Sequence, residues 1–304
     1  MYKFRITVFT PTYNRAYIID RLYESLCEQT YRNFEWLVID DGSVDQTEEI
    51  FDTWMKKADF SIRYYKTKNG GKHRAINQGL DLAEGEIFFT VDSDDQLTKE
   101  ALDKVNNWFY EIESKSDICG IVANRGITPT KTVNAFFERR YLDKSLADMD
   151  TYCEAGKKVL GGERAIAIYT DLHKNYRFPE FPGEKFMPEE VVYNRISKDG
   201  YLMRFFNDII VLSEYQPDGL TNAGSSIYLN NPKGYGLWIK EKIIINKYSI
   251  TKRLKTYYGF ICDLAPLYNC KMIAESINLP TIVVDILYFL HFLRMKIKGK
   301  KKNE

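Results

Sequence analysis

The first hundred residues alternate short apolar segments with segments whose apolar residues recur at helical spacing. The apolar segments are Arg5–Thr10, Phe34–Ile39, Ile62–Lys66 and Glu86–Val91. Helical spacing is found in Ala16–Gln29, Thr47–Met55 and Arg74–Ala83. Strands that alternate with helices form βαβ units with parallel strands, and continuously apolar strands are usually covered on both faces. We therefore predict an α/β fold in which helices sandwich a mostly parallel sheet.

The alternation loosens after residue 123. Asp117–Ala123 and Arg164–Tyr169 are predicted strands, and the apolar segments on either side of Asn207-Asp208 indicate a hairpin. From about Gly236 the sequence becomes helical and rich in lysine. We expect one domain over residues 1–235, with halves that meet near residue 123, and a helical C-terminal appendage over residues 236–304.

Composition narrows the classes of protein. The apolar fraction of 44% can supply a sizeable core, and the net charge of +1 provides no global field for a nucleic-acid partner. The five cysteines are odd in number and lack metal-knuckle spacing, so we expect reduced, mostly buried thiols in a cytoplasmic protein. The N-terminal sequence MYKFRITVFTPTYN lacks a signal peptide's apolar region, and no apolar run reaches the roughly 20 residues that span a bilayer.

A polar cluster follows each of the four predicted strands. The clusters are Thr10–Arg15, Asp40–Ser43, Asn69–Arg74 and Asp92–Asp95. Ligands of open α/β sheets bind beyond the carboxyl ends of the strands. We therefore expect the four clusters to converge on one edge of the sheet and to form a ligand site there.

Asp92-Ser93-Asp94 offers two carboxylates two residues apart at a strand end. Such a pair can bind Mg²⁺ or Mn²⁺ together with substrate phosphates, although a polar turn with Asp95 as a helix cap is the structural alternative. Asp40 and Asp41 could accept the ring N–H of uracil or a ribose hydroxyl, or could simply belong to a strand-to-helix turn.

Two further groups could carry chemistry. Gly70-Gly71-Lys72-His73 combines flexible backbone with cationic donors suited to a diphosphate, or forms a tight turn with solvated charge. Neither a dinucleotide-binding G-x-G-x-x-G nor a P-loop sequence is found. Glu189 and Glu190 could supply a general base, or could complement the dipole of a following helix.

Together, TVFTPTYNRA, VIDDGSVDQT, NGGKHRAINQGL, FFTVDSDD and MPEE resemble family 2 of the inverting glycosyltransferases, which have the GT-A (Rossmann-like) fold. The stretches EKFMPEEVVYNRIS and EYQPDGLTNAG are similar to bacterial members that build capsule, teichoic-acid or lipid-linked surface polymers. The resemblance implies transfer of a hexosyl or N-acetylhexosaminyl group from a UDP-sugar to a hydroxyl of such a glycan or lipid-linked acceptor, with Mn²⁺ or Mg²⁺ as cofactor. The nucleotide-sugar half would be residues 1–123 and the acceptor half residues 124–235.

The resemblance also implies roles for individual residues. The nucleoside would be held by Pro11, Tyr13, Arg15 and Asp41, the diphosphate would lie near Lys72 and His73, and the neighbouring Thr12, Asp40, Gly71 and Ser93 would belong to the same donor site. Asp92 would contact the ribose and assist Asp94, the metal ligand. Many members have Glu-Asp where this chain has Glu189-Glu190. Glu190 takes the position of the base, and which glutamate acts stays open.

Two other classes remain at this point: a sugar nucleotidyltransferase, and a catalytically silent nucleotide-sugar-binding protein.

The C-terminus adds a separate feature. Thr281–Leu293 is nearly all apolar, and the segment from Arg294 to Glu304 holds six basic residues against one glutamate. This pattern favours peripheral contact with the anionic inner face of the cell membrane. The alternative is a helix packed on the chain's own catalytic domain, or on a second subunit of a homo-oligomer, with a solvated tail.

Overall fold

The structure, a computed structural model, describes residues 3–148, 160, 162–214, 216, 219 and 224–300. Its strands are β1 (Ile6–Thr12), β2 (Phe34–Asp40), β3 (Ser61–Lys66), β4 (Ile87–Thr90), β5 (Asp95–Leu97), β6 (Ile118–Thr128), β7 (Lys131–Thr132), β8 (Tyr141–Lys144), β9 (Arg164–Tyr169) and β10 (Leu202–Ser213). Its helices are α1 (Asp20–Cys27), α2 (Thr47–Lys57), α3 (Lys72–Leu82), α4 (Ala101–Ile112), α5 (Thr170–His173), α6 (Glu190–Lys198), α7 (Ser226–Leu229), α8 (Pro232–Ile245), α9 (Ile250–Leu264), α10 (Cys270–Ile277) and α11 (Thr281–Lys300).

The described strands form one sheet in the order β3-β2-β1-β4-β9-β6-β10-β5, with β7 paired to β6 and β8 paired to β10. Pairing is parallel from β3 to β4. Beyond β4 the sheet is mixed, because β9 runs antiparallel to both β4 and β6. The predicted α/β class is confirmed. Parallel pairing also joins β6 to β10, whereas β5, β7 and β8 pair antiparallel with their neighbours.

The chain divides into two compact units. The first comprises residues 1–178 and 195–217, and the second comprises residues 179–194 and 218–304. The predicted domain boundary near residue 235 stays a prediction.

The hydrophobic core of the first unit fills both faces of the sheet. On one face, the ring of Trp36 packs tilted against Phe51 and Trp54, at centroid distances of 5.0 Å and 5.9 Å, and Trp54 stacks on Tyr23 at 4.3 Å. On the other face Phe9, which stacks at 4.9 Å on Phe88, meets α3. The alternation of side chains along β1 and β2 thus delivers apolar groups to two helical layers.

The predicted hairpin at Asn207-Asp208 is wrong. The segment lies inside the single strand β10, whose pairing with β6 shifts register between Phe205 and Ile209. The side chain of Asn207 accepts a hydrogen bond from the Phe137 N–H at 3.0 Å and donates to the Phe137 carbonyl at 2.7 Å. Asn207 therefore anchors a neighbouring segment from an irregularity in the strand.

Two smaller expectations also change. Helix α1 begins at Asp20 rather than Ala16, because the Ala16 N–H donates to the carboxylate of Asp45 at 3.0 Å in a preceding turn. The four described cysteines are free thiols, but only Cys119 is buried, so burial of most of them is wrong. Cys153 lies outside the described residues.

The second unit has a helical core of its own. Helices α8, α9, α10 and α11 contribute its fully or nearly fully buried residues: Ile243, Phe260, Ile261, Leu264, Ile273, Ile277 and Val284. This confirms a helical region after the sheet. Within the described residues, no helix is both long enough and apolar enough to cross a bilayer.

Phe51→Ala tests the aromatic cluster. Phe51 is fully buried between Trp36, Trp54 and Tyr64, so truncation removes buried surface and leaves a cavity. We expect the free energy of unfolding in urea to fall by about 3–5 kcal/mol. Met55→Ala, on the exposed side of the same helix, should cost less than about 1 kcal/mol. Equal losses in the two variants would contradict this account of the core.

Candidate active site

The polar clusters after β1 and β2 are joined by hydrogen bonds at one edge of the sheet. The Asp41 N–H donates to the Thr12 carbonyl at 2.8 Å, and the Asn14 N–H donates to the Ser43 hydroxyl at 2.8 Å. The Asn14 side chain in turn accepts the Val44 N–H at 2.9 Å. The predicted convergence is therefore confirmed for these two clusters.

Asp41 joins the third cluster to the same edge. Its nearly buried carboxylate accepts the Gly70 N–H at 2.6 Å, the Gly71 N–H at 2.8 Å and the Asn69 amide at 3.1 Å. Three donors of the turn before α3 thus converge on one carboxylate, which fixes the turn and the start of the helix. The predicted contact of Asp41 with uracil stays a prediction, and a uracil N–H would add to these donors.

Asp40 has a different environment. It is fully buried, one oxygen accepts the Ser43 N–H at 2.7 Å, and the other accepts the Tyr64 hydroxyl. Burial, followed by the hydrogen bond to Asp40, raises the pKa of Tyr64. Both carboxylate oxygens accept hydrogen bonds from protein groups, so Asp40 has a structural role in the turn. The predicted contact of Asp40 with the donor stays untested.

The fourth cluster joins the edge through ion pairs. Asp92 lies 2.6 Å from the Lys72 ammonium and 3.4 Å from the guanidinium of Arg125, which also lies 2.7 Å from Asp95. Burial opposes ionisation of Asp92, but the two cations outweigh it and hold the pKa of this carboxyl well below its usual range. Arg125, on β6, was missed in the sequence because no motif accompanies it.

Asp94 and Asp95 differ from Asp92 in charge balance. Burial, and then the neighbouring carboxylate of Asp92, raises the pKa of Asp94. Burial also raises the pKa of Asp95, against the influence of Arg125. Asp95 opens strand β5 and pairs with Arg125, so its predicted alternative as a helix cap is wrong.

The donor set at this edge suits a hard divalent cation. Asp92 and Asp94 offer carboxylate oxygens, the ligands that Mg²⁺ and Mn²⁺ prefer, and a cation would relieve the repulsion that raises the pKa of Asp94. Among the described residues, no three His, Cys, Asp or Glu side chains form a metal-binding group. A bound ion would therefore need further oxygens from a diphosphate or water, as is common for Mg²⁺.

The other predicted donor residues range from buried to exposed. Tyr13 is 46% exposed, whereas Pro11, Thr12, Gly71, His73 and Ser93 are buried and Arg15 is partly buried. The Thr12 hydroxyl is buried, and within the described part of the chain it has no hydrogen-bond partner. Such an orphaned hydroxyl is costly, which marks this position at the end of β1 as one suited to a ligand or water.

The acidic pair belongs to the second unit. Glu184 accepts the Lys233 and Gly234 N–H groups, each at 2.8 Å, and Asn231 accepts the Lys185 N–H at 2.7 Å. The carboxylate of Glu184 thereby satisfies donors at the N-terminus of α8, where the helix dipole favours negative charge. The segment that carries MPEE is thus fixed to the C-terminal helices.

Within this segment the two glutamates differ. Glu189 accepts the Tyr193 hydroxyl at 3.1 Å, a contact one helical turn away. The side chain of Glu190 is exposed, yet the protein atoms around it limit the hydration of its carboxylate and, with the like charge of Glu189, raise its pKa. A raised pKa brings a carboxylate closer to the range of an effective general base.

The model of glycosyl transferase family 2 matches residues 7–159. A Campylobacter jejuni protein, GalNAc(5)-diNAcBac-PP-undecaprenol beta-1,3-glucosyltransferase, is 33% identical over 311 residues, which cover 93% of each chain. The chain therefore belongs to glycosyl transferase family 2 and is a glycosyltransferase. Membership sets aside the sugar nucleotidyltransferase.

A Staphylococcus aureus relative, poly(ribitol-phosphate) beta-N-acetylglucosaminyltransferase TarS, is 39% identical over 100 residues. The match covers 32% of this chain and 18% of TarS, so the aligned stretch is a minor part of that relative.

Solved structures agree on the fold. The structure of TarS 1–349 in complex with UDP-GlcNAc has a TM-score of 0.60 at 17% identity and covers 96% of this chain and 92% of its own. A mannosyltransferase from Pyrobaculum calidifontis in complex with GDP-Man and Mn²⁺ has a TM-score of 0.56 at 18% identity, covering 100% and 89%. The chain has the GT-A fold.

Gly42→Ala tests the turn that Asp41 holds. Gly42 has φ of +83°, and an added Cβ would lie 2.8 Å from the Asn69 backbone nitrogen. Gly183 has the same φ but no atom within 4 Å of an added Cβ, so Gly183→Ala is a matched control. The left-handed conformation should cost each variant about 1–2 kcal/mol. Gly42→Ala should lose more stability in urea, and equal losses would contradict the tight approach of Asn69.

Proposed function

We propose that the chain transfers a sugar from a UDP-sugar to a hydroxyl of a surface-polysaccharide or lipid-linked acceptor, with inversion at the anomeric carbon and a divalent metal ion. The observation that carries the proposal is the convergence of four polar clusters at the carboxyl ends of β1 to β4. There Asp92 and Asp94 lie beside Lys72 in the α/β geometry that binds nucleotide ligands.

The donor residues are proposed from this edge. The exposed Tyr13 ring and the partly buried Arg15 offer a face for the uracil base, and the orphaned Thr12 hydroxyl gains a partner when a ligand or its water is bound. Asp41 presents carboxylate oxygens for a ring N–H. Proteins of the same fold bind UDP-GlcNAc or GDP-Man. The uracil assignment rests on Asp41 and on the sequence match to TarS.

The proposed metal ligands are Asp94 and, beside it, Asp92. When bound, a divalent ion neutralises negative charge on the diphosphate leaving group. Lys72 brings a second cation to the same place. Its present pairing with Asp92 keeps the ammonium near the phosphate position before a donor arrives.

Glu190 is the proposed general base. Its carboxylate removes the proton of the acceptor hydroxyl while the hydroxyl oxygen forms a bond to the anomeric carbon. The bond between that carbon and the diphosphate oxygen breaks, and UDP leaves with the electron pair. The raised pKa of Glu190, together with the engagement of Glu189 by Tyr193, supports Glu190 over its neighbour.

The acceptor class is proposed from relatives. The names of two relatives describe transfer to poly(ribitol-phosphate) and to an undecaprenol-linked glycan. The second is matched over nearly its whole length, which favours a lipid-linked glycan. The predicted cytoplasmic location, the contact with a membrane and the oligomeric state stay predictions.

Release of UDP tests the donor and the metal together. With Mn²⁺, the protein should slowly hydrolyse one member of a panel of UDP-sugars and should leave GDP-sugars intact. A chelator should abolish the release, and added Mn²⁺ or Mg²⁺ should restore it. Asp94→Asn should lower turnover by at least about 100-fold, whereas Asp52→Asn, on the exposed side of α2, should not. Full turnover in chelator would exclude the metal, and hydrolysis of GDP-sugars alone would exclude the uridine donor.

Glu190→Gln tests the base, because it keeps the size of the side chain and removes the carboxylate. Turnover with acceptor should fall by about 10²–10⁴-fold. Calorimetry should show unchanged affinity for UDP, because the proposed donor residues belong to the other unit. Glu189→Gln is the matched variant and should retain most activity. An inactive Glu189→Gln beside an active Glu190→Gln would move the base by one residue, and two active variants would exclude both glutamates.

A further inference from the structure

Helix α11 is apolar on two opposite sides. Val284, Leu287 and Tyr288 pack against the helical core of the second unit. On the other side five apolar residues form a surface, here called the outer face, and each is between 40% and 65% exposed: Ile282, Ile286, Phe289, Leu290 and Leu293. Spacings of three and four residues place them on one side of an α-helix. A contiguous exposed apolar surface of this kind indicates a binding partner.

Positive charge follows the outer face along the chain. Arg294 is exposed, and the sequence from there to residue 304 holds five lysines in addition, with one glutamate as the only acid. The apolar run Thr281–Leu293, from which the outer face is drawn, includes a single acidic residue, Asp285. A partner for this end of the helix must therefore be negatively charged as well as apolar.

Helix α9 adds positive charge at the same end. The Tyr288 hydroxyl donates to the Ala265 carbonyl at 3.3 Å, and His291 lies 3.0 Å from the Cys262 sulfur. Residue numbers rise along α11 as they fall along α9, so the two helices are antiparallel. The first turns of α9 therefore lie beside the last turns of α11. Those first turns expose Lys252, Arg253 and Lys255 together with the apolar Ile250 and Leu254.

We propose that the outer face of α11 binds the surface of an anionic lipid bilayer. The helix lies parallel to the membrane with its apolar side chains at the boundary between headgroups and acyl chains, and the basic residues of α11 meet acidic headgroups. The basic residues of α9, which packs on the opposite side of α11 through Tyr288 and His291, add to the positive field at this end. A bilayer supplies both apolar volume and negative charge. A second copy of this chain would present the same basic residues and so would not supply the negative charge. The inference concerns where the enzyme works and does not depend on the donor or the base.

Vesicle co-sedimentation tests the proposal with the full chain. At low salt the protein should sediment with vesicles of phosphatidylcholine and phosphatidylglycerol and stay in solution with phosphatidylcholine alone. Binding should fall as salt is added, because salt screens the interaction between exposed charges. Sedimentation that is equal with the two kinds of vesicle, or absent from both, overturns the proposal.

Variants separate the apolar part from the charged part. Ile286→Ser with Phe289→Ser should lower the partition coefficient at least tenfold. Met55→Ser with Phe136→Ser is the control, because it removes an aliphatic and a phenylalanine side chain that are also exposed, at 41% and 54%, from the first unit. Substitution of the lysines at 296, 298 and 300 by Gln should lower binding by about 100-fold. Circular dichroism and thermal unfolding of each variant verify its fold.

Light scattering after gel filtration identifies the competing occupant. If the chain fails to bind anionic vesicles and instead forms a dimer that the Ile286→Ser and Phe289→Ser pair converts to a monomer, a second copy of the chain covers the outer face. That result overturns membrane binding. UDP release measured in the same samples reports on the proposed function separately, since the outer face contains no residue assigned to the donor or the base.

Discussion

The arrangement of the residues proposed to bind the sugar donor depends on the carboxylate of Asp41. It accepts the N–H groups of Gly70 and Gly71 and so joins the end of β2 to the start of α3. Lys72 is the next residue, and its ion pair with Asp92 extends the connection to the end of β4. Charged acceptors make the stronger hydrogen bonds, and buried N–H groups without an acceptor are costly. One side chain therefore positions backbone and cation together.

The parts that the sequence predicted are those in which the signal is local. Strands β1 to β4 and the helices between them were located to within a few residues, because periodicity and β-branched composition are properties of short windows. The convergence of the polar clusters followed from strand direction, and so the positions of Asp41, Lys72 and Asp92 could be anticipated. The hydrogen bonds that Asp41 accepts from protein N–H groups could not be anticipated, because the amides of Gly70 and Gly71 lie 29 and 30 residues away along the chain.

The parts that the sequence missed depend on partners that are distant along the chain. Arg125 pairs with Asp92 and Asp95 from β6, and nothing in its neighbourhood marks it. Asn207 is a residue type that is common in turns, yet its side chain accepts a hydrogen bond from the N–H of Phe137, 70 residues away. Local preference was overridden in each case by a tertiary hydrogen bond or ion pair, which no window of ten residues contains.

The attachment of Glu184 to the start of α8 has a consequence for how such chains can recombine. Residues 179–194 leave the sheet unit, join the helices and return, so the polypeptide passes between units three times. A single genetic crossover near residue 218 would combine the acidic segment of one parent with the helices of another. The hydrogen bonds from Lys233 and Gly234 to Glu184 would then join partners that had never evolved together. Such a hybrid would keep the start of α8 capped only if the incoming segment supplied an acceptor in place of Glu184.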